Sequence, residues 1–597
     1  MDKKAGPAPW LGALAMACAL CAGYPLMAVW RGAWQNHYPQ VAAQWPNNGR
    51  FTMVGWYGTE LAYEELGYAD RANDQAHHLL AFDPYVRANR TWRQFAIDRL
   101  TYLILGGLDD LAGGVSNAWM LARFLCCAAW FLLVYFMANR LADYPPLSFF
   151  SAAFVTGFSY ILTFLFLGDF VWRGGFAHAI GRDLWALLSY GRTEGVLRLP
   201  RPGLTWAFLF LAGIWLAKAE ESRTARWTVL SGVLGGLLAY VRMDVWSSYV
   251  VASGVFALAV SLRDKKPARG LWTSFAITVL VSLPYLAVNY PPAPDMLLKS
   301  GLLPRREFHP DSLAYLAAFL LGLRYKSKNP TALFCAALCA ATFVMVNIEL
   351  VTGYPMQPQH WMFFGNIYVF LLALAFVPKS FKRGAKLWRG AAWGLMLAAL
   401  FQGLSYAAIH YPFQGLPKDY GDALAWLGRN TPKNSEVLTI NPEVDALIPA
   451  FTRDKVNTAF ELAVLSDYPV LKNCERFVAG LKLLGADPKA FFGQCLFHAP
   501  HYGRRQVVAM GLPRGRIEKS DVGTLLFYMT PKDRIPVIVA EAEKSPAAIH
   551  PDYIWFGVLE KEYARPDFAR AERGRWRAAY RNPSVVIYAR AAKDARP

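Results

Sequence analysis

The sequence predicts an α-helical polytopic membrane protein, with about eleven transmembrane helices followed by a C-terminal extracytoplasmic α/β domain. Three observations predict it. Hydrophobic residues make up 55% of the 597-residue chain, and mean hydropathy is +0.21, above that of water-soluble proteins of ordinary composition. The apolar residues gather in blocks of about 17–25, the length a helix needs to cross a hydrocarbon core of ~30 Å. The short segments between blocks are basic on one side of the expected topology and poor in Lys and Arg on the other.

The expected spans, in order, are 9–30, 116–138, 146–170, 203–218, 226–243, 244–262, 271–290, 310–324, 330–349, 361–378 and 387–410. No small-residue cleavage site with a polar continuation follows the first block, so it reads as an anchor. With a cytoplasmic N-terminus the inside loops include Lys218–Arg226, Arg263–Gly270, Arg324–Lys328 and Lys379–Arg389, all basic, while the outside segment Leu350–His360 has no Lys or Arg. The formal net charge of +19 is thereby explained by loop position, and nucleic acid is not an expected partner. A transmembrane domain then occupies residues 1–410, with large outside loops at 31–115 and 171–202, and a soluble outside domain occupies 411–597. That domain opens with an amphipathic stretch, DYGDALAWLGRNTP. EVLTI, VVAMGL, TLLFYM, VIVA and VVIYAR follow it as strand-like runs.

Six of the eight cysteines lie in apolar blocks, where they serve as small packing groups. Cys474 and Cys495 fall in the outside domain; an oxidising compartment leaves a disulfide between them open. No zinc spacing occurs.

Chemistry is expected in the outside segments. In the first, Glu60, Glu64, Asp70, Asp74 and Asp83 are interleaved with Tyr57, Tyr63, Tyr68 and Tyr85. Over a helix, Glu60 and Glu64 share one face with Tyr63 beside them, a setting for a general base over an aromatic sugar platform. The plain alternative is a solvated helix face. Asp83, in FDPY, is a third acid, although Asp before Pro is also a turn former. The second loop carries Asp169, Arg173, His178, Arg182, Arg192, Arg198 and Arg201. Arginine forks of this kind fit a lipid phosphate or pyrophosphate as well as they fit interfacial snorkelling. Arg242 and Asp244 sit between two apolar blocks, facing a cavity or closing a helical hairpin as a mutual ion pair. NIELVTGYPMQPQHWMF offers Asn347, Glu349, Gln357, Gln359 and His360, groups able to hold sugar hydroxyls or a phosphate oxygen, or simply to begin a helix. The chain has no P-loop, dinucleotide fingerprint, HExxH or nucleophile elbow in its required context, which argues against an ATP-driven machine or a membrane metalloprotease.

With these segments in place the chain resembles the GT-C superfamily of polytopic glycosyltransferases, which includes oligosaccharyltransferases, protein O-mannosyltransferases and lipid A aminoarabinose transferases. The likeness is architectural across nearly the whole chain. It is most specific, toward bacterial members, in HLLAFDPYVRAN, RLPRPGLTWAFLFL, GVLGGLLAYVRMDVW, NIELVTGYPMQPQHW and ALAWLGRNTPKNSEVLTINPEVDALIPAFTRDKV. The resemblance implies a transferase of the bacterial inner membrane and cell envelope, its C-terminal domain periplasmic or extracellular. It would move a sugar, with inversion, from a polyprenyl-phosphate or polyprenyl-diphosphate donor to a glycan, lipid or protein acceptor. Glu60, then Glu64 or Asp83, would act as base. Arg198, Arg242 and His360 would hold the donor phosphate, and Tyr63, Gln357 and Gln359 the sugar or acceptor. Some members use a divalent metal and others none, so no cofactor is fixed. Many relatives place an acid soon after the first helix, whereas residues 31–59 here contain none. Two readings compete: a transporter or flippase of lipid-linked saccharide, which predicts internal repeats, and a non-catalytic envelope scaffold.

Overall fold

The computed structural model describes residues 8–23, 50–51, 60–78, 83–87, 89, 98–165, 197, 199, 203–289, 306–353, 359–378, 380–381, 384–416, 418–459, 468–496, 526–527, 530, 533–564, 568 and 575–591. A described helix underlies each of the eleven expected spans. Among the described residues five helices are long and apolar enough to cross a membrane: Val115–Ala142, Gly203–Ser222, Met243–Asp264, Arg269–Asn289 and Pro330–Thr352. Pro9–Cys21, Ala225–Val241 and Trp361–Leu374 are shorter apolar helices. The chain is a multi-pass membrane protein.

Described loop residues gather at two ends of this bundle. At one end Arg263 reaches Glu220 and Asp264, each at 2.7 Å, and donates to the Ser327 carbonyl at 2.8 Å. Arg140 pairs with Glu221 at 3.2 Å, and Asn329 donates to the Arg140 carbonyl at 3.0 Å. The basic segments expected on one side of the membrane thus meet one another. The first loop, the Arg242 turn and the C-terminal domain meet at the other end, described below.

Close helix contacts are built on small residues. A Cβ on Gly403 would stand 2.6 Å from the Ala19 and Leu20 carbonyl oxygens, so only glycine lets the Ala385–Gln414 helix lie against Pro9–Cys21.

The C-terminal domain is an α/β unit. Its five described strands are β3 (Glu436–Leu438), β4 (Lys455–Val456), β5 (Tyr553–Phe556), β6 (Trp576–Arg581) and β7 (Val586–Arg590), in spatial order β4-β3-β5-β7-β6. β3 runs parallel to β4 and β5, and β7 antiparallel to β5 and β6. A separate two-residue pairing joins Arg50–Phe51 (β1) to Gly415–Leu416 (β2), where the last membrane helix ends. Successive strand residues face opposite sides. Val437, Trp555 and Ile587 join the core that continues into the membrane bundle, while Leu438, Ile554 and Tyr588 pack with Phe477 and Phe491 in a second core.

Two strand expectations in this domain change. EVLTI and VVIYAR supply β3 and β7, but VIVA lies inside the Ile535–Lys544 helix. Pro536 at its first turn and the helix-forming EAEK after it outweigh the β-branched run. In TLLFYM, Leu526 and Phe527 are outside any strand, and VVAMGL falls outside the described residues. Cys474 is buried and free; the Cys495 side chain lies outside the described residues.

Candidate active site

The first loop contributes two helices. Glu60–His77 packs against Arg99–Ala112 on one side and against Pro442–Phe451 of the C-terminal domain on the other. Gly106 allows the first contact, because a Cβ there would sit 2.8 Å from the Ala72 carbonyl oxygen. The second contact is polar. Asn73 Nδ2 donates to the Pro449 and Thr452 carbonyls at 2.7 and 2.6 Å, and Lys455 Nζ forms a buried ion pair with Asp74. Burial alone pushes the Asp74 carboxyl up, but the Lys455 ammonium and the His78 ring together hold it below the usual carboxylate range. A few residues on, Val456 N–H donates to the Tyr85 carbonyl at 2.9 Å, and Arg87 pairs with Asp552 at 2.8 Å. The first loop is therefore built into the C-terminal domain.

On the membrane side the same helix meets the turn between two apolar helices. Arg242, the extended residue between Ala225–Val241 and Met243–Asp264, donates from Nη1 to Asp98 Oδ2 at 3.0 Å and to the Tyr68 hydroxyl oxygen at 3.2 Å. Its Nε lies 3.8 Å from Asp244 Oδ1. The hairpin pair is present, and the shorter bonds reach the first loop. Burial raises the Asp98 carboxyl, with Arg242 and Arg71 opposing. Arg71 is buried with its guanidinium 5.3 Å from the Tyr102 ring centre, and its Nε and Nη2 meet no acceptor among the described residues. Beside it Asp70 is fully buried, which pushes its carboxyl well above the usual range, with the Tyr85 hydroxyl opposing. Acidic and basic groups are thus packed within one polar seam between membrane helices and C-terminal domain.

A cleft of about 420 Å³ opens beside this seam. It lies where Arg99–Ala112 ends and the membrane helix Val115–Ala142 begins, under the Ala450–Phe451 end of the Pro442–Phe451 helix. Gly113 and Gly114, at φ of +72° and +135°, make the turn between those two helices. Both donate their N–H to the Asp109 carbonyl, at 3.0 and 3.1 Å. Asp109 is 5% exposed, and burial followed by the neighbouring Asp110 charge lifts its carboxyl to about 6. His77 faces the same cleft, its ring pKa lowered by burial and then by Arg453.

The sequence-predicted residues are distributed as follows. Glu60, Tyr63 and Glu64 lie in the first turns of the Glu60–His77 helix, their side chains outside the described residues. Asp83 accepts from the Tyr85 and Val86 N–H groups at 2.8 and 3.2 Å and from Asn89 Nδ2 at 2.6 Å, the pattern of a side chain that organises its own turn. Arg198 and Gln357 lie outside the described residues, and Gln359 and His360 begin the Gln359–Leu374 helix without described side chains. Asn347 and Glu349 receive the N–H groups of His309 and Glu307 at 2.9 and 2.8 Å, so they tie down the loop before the Leu313–Lys326 helix. No group of three or more metal-ligating side chains gathers among the described residues.

No protein-family model matches the chain. No curated protein matches it either. Among solved structures it is similar to ArnT from Cupriavidus metallidurans. The form bound to undecaprenyl phosphate superposes with a TM-score of 0.42 at 11% identity, over 95% of this chain and 99% of that one. The apo form does so with a TM-score of 0.40, at the same identity and coverage.

Asp98, Asp109, Arg71 and Lys455 were not singled out in the sequence. Asp109 had a local signal, the run GGLDDLAGG, in which a paired acid precedes a double-glycine turn into an apolar block. Lys455 had none, because its partner is 381 residues away.

Proposed function

We propose that this chain is a membrane glycosyltransferase of the GT-C type, moving a sugar from a polyprenyl-phosphate or polyprenyl-diphosphate donor to an acceptor at the extracytoplasmic face. The observation that supports the reading best is the seam itself. A first-loop helix that begins with Glu60 and Glu64 is fixed between Arg242 at the bundle end and Lys455 of the outer domain. Under this reading the first-loop carboxylates and the guanidinium act at one membrane face, as transfer between an acceptor hydroxyl and a lipid phosphate requires.

In the proposed step the acceptor oxygen attacks the anomeric carbon while the bond to the phosphate oxygen breaks. The lipid phosphate leaves with the electron pair. A first-loop carboxylate, Glu60 first and Glu64 next, takes the acceptor proton, and a single displacement inverts the anomeric centre. Arg242, with Arg198 and His360 as further donors, offsets the charge that builds on the phosphate. Tyr63, Gln357 and Gln359 would hold the sugar or acceptor. The basic loop end lies in the cytoplasm under this reading, following the positive-inside rule.

The test is reconstitution. Membranes of a strain lacking the gene hold donor and acceptor together; adding the purified protein in proteoliposomes fused to them should convert the lipid-linked sugar to free polyprenyl phosphate and glycosylated acceptor. A donor pool left unchanged by active, folded protein would count against transfer.

A further inference from the structure

The cleft beside the seam offers a ligand mainly one kind of partner. Asn73 spends its amide protons on the Pro449 and Thr452 carbonyls, and Asn117 spends one on the Ala112 carbonyl at 3.0 Å, so both have oxygen left to offer. Asp109 and Asp110 add carboxylate oxygens to the same lining. The strongest feature is Asp109 Oδ2. It belongs to a side chain 5% exposed and accepts no hydrogen bond from any described residue, although Asp109 borders the open volume. A buried acceptor without a donor costs free energy until a donor arrives. Phe451 supplies an apolar aromatic wall. An anion is repelled here by two carboxylates, so this is not a second place for the lipid phosphate.

We propose that this cleft is a carbohydrate site that holds the hydroxyl-bearing headgroup of the acceptor, with one hydroxyl donating to Asp109 Oδ2 and the sugar's C–H face against Phe451. The word acceptor rests on the glycosyl-transfer reading above; the word carbohydrate rests on the cleft's own residues. Sugars match the lining because they combine several hydroxyl donors with an apolar face. The position fits a lipid-borne acceptor, because Val115 and Ser116 at the cleft begin a membrane-spanning helix. His77, kept neutral by burial and by Arg453, adds a ring nitrogen without adding charge.

The experiment uses three photoreactive lipids with the same diazirine-bearing alkyl chain, ending in glucose, in an ammonium group and in a phosphate. Each is photolysed with the full-length protein in nanodiscs, and adducts are mapped by peptide mass spectrometry. The glucoside should label the peptides around 109–117 and 450–451 saturably and above the other two. Asp109→Asn should reduce that labelling roughly tenfold. Ser116→Trp, which fills the cleft and leaves Asp109 in place, should reduce it to a similar degree, guarding against misfolding of the first variant. Preferred labelling by the ammonium lipid overturns the proposal. So does glucoside labelling that survives both substitutions, or its absence from folded wild type. Labelling does not require turnover. A cleft that takes the glucoside in a protein that transfers no sugar retains the carbohydrate site and removes only the transferase reading; transfer without cleft labelling does the reverse.

Discussion

Lys455, on a two-residue strand of the C-terminal sheet, forms a buried ion pair with Asp74 on the first-loop helix, 381 residues earlier in the chain. Each side chain is 7% exposed, and the Asp83 carbonyl accepts a second Lys455 hydrogen bond at 2.9 Å. This pair closes the C-terminal domain over the loop. Removing one partner leaves a buried charge unpaired, which typically costs about 3–5 kcal/mol. Lys455→Met should therefore lower thermal stability in detergent and expose the 60–78 helix to protease before the membrane helices unfold. Because Asp74 is held below its ordinary range, its contribution is complete above about pH 5 and is lost as pH falls through the folded value. A melting series in acid should show that loss in wild type and not in the Lys455→Met/Asp74→Leu double variant.

Asp454 should show the opposite dependence. Burial lifts its carboxyl to about 7, although the Thr431 hydroxyl lies within hydrogen-bond distance of both its oxygens, at 3.0 and 2.7 Å. A carboxyl raised on folding binds its proton more tightly in the folded protein. Stability consequently falls as pH rises from about 4 to the folded value near 7, and the penalty stays constant above it. Asp454→Asn should remove that slope and stabilise the domain by about 2–4 kcal/mol at pH 8, read from denaturation at pH 4, 6 and 8.

Adjacent glycines in the Arg99–Ala112 helix should respond in opposite directions. A Cβ on Gly106 meets backbone of the neighbouring helix, the Ala72 carbonyl oxygen at 2.8 Å and the Ala76 nitrogen at 3.1 Å, whereas one on Gly107 meets nothing within 4 Å. Gly106→Ala should destabilise the loop by about 1–3 kcal/mol through overpacking. Gly107→Ala should stabilise it by up to about 1 kcal/mol through helix propensity. Hydrogen exchange of the two first-loop helices measures both.

Arg242 should be intolerant of its closest chemical substitute. Its fork serves Asp98 and Tyr68 from Nη1 with Asp244 near Nε, and an ammonium at the end of a lysine cannot reproduce that geometry. Arg242→Lys should reach the membrane at wild-type level and lose at least about tenfold in sugar transfer. Loss of the protein itself, read by immunoblot of the membrane fraction, would instead mark Arg242 as a structural strut.

The membrane part of this fold was legible because run length and loop charge are local signals. Each expected span has a helix beneath it, and Arg263, Arg140 and Asn329 meet at one end as the basic loops require. The sheet was legible only in part. VVIYAR forms a strand, but VIVA, of the same apolar and β-branched character, turns helical after Pro536. The strands Tyr553–Phe556 and Trp576–Arg581 were not anticipated; the first pairs with Glu436–Leu438 from far earlier in the chain, and the second pairs with its neighbour Val586–Arg590 in a local hairpin. The site was the least legible. Arg242 was visible as a charge in an apolar context and Asp109 as a paired acid before a double-glycine turn, whereas Asp98 and Lys455 take their environments from tertiary contacts that no spacing encodes.

The measurement that tests the central claim most directly is mass spectrometry of envelope glycans and polyprenyl-phosphate sugars. The strains compared are a deletion strain and the same strain complemented with wild type, Glu60→Gln or Glu64→Gln, each variant checked for membrane insertion. The account predicts that a sugar disappears from one acceptor, and that its lipid-linked donor accumulates, in the deletion and in at least one of the two variants. Acceptor and donor pools that match wild type in every strain would contradict it.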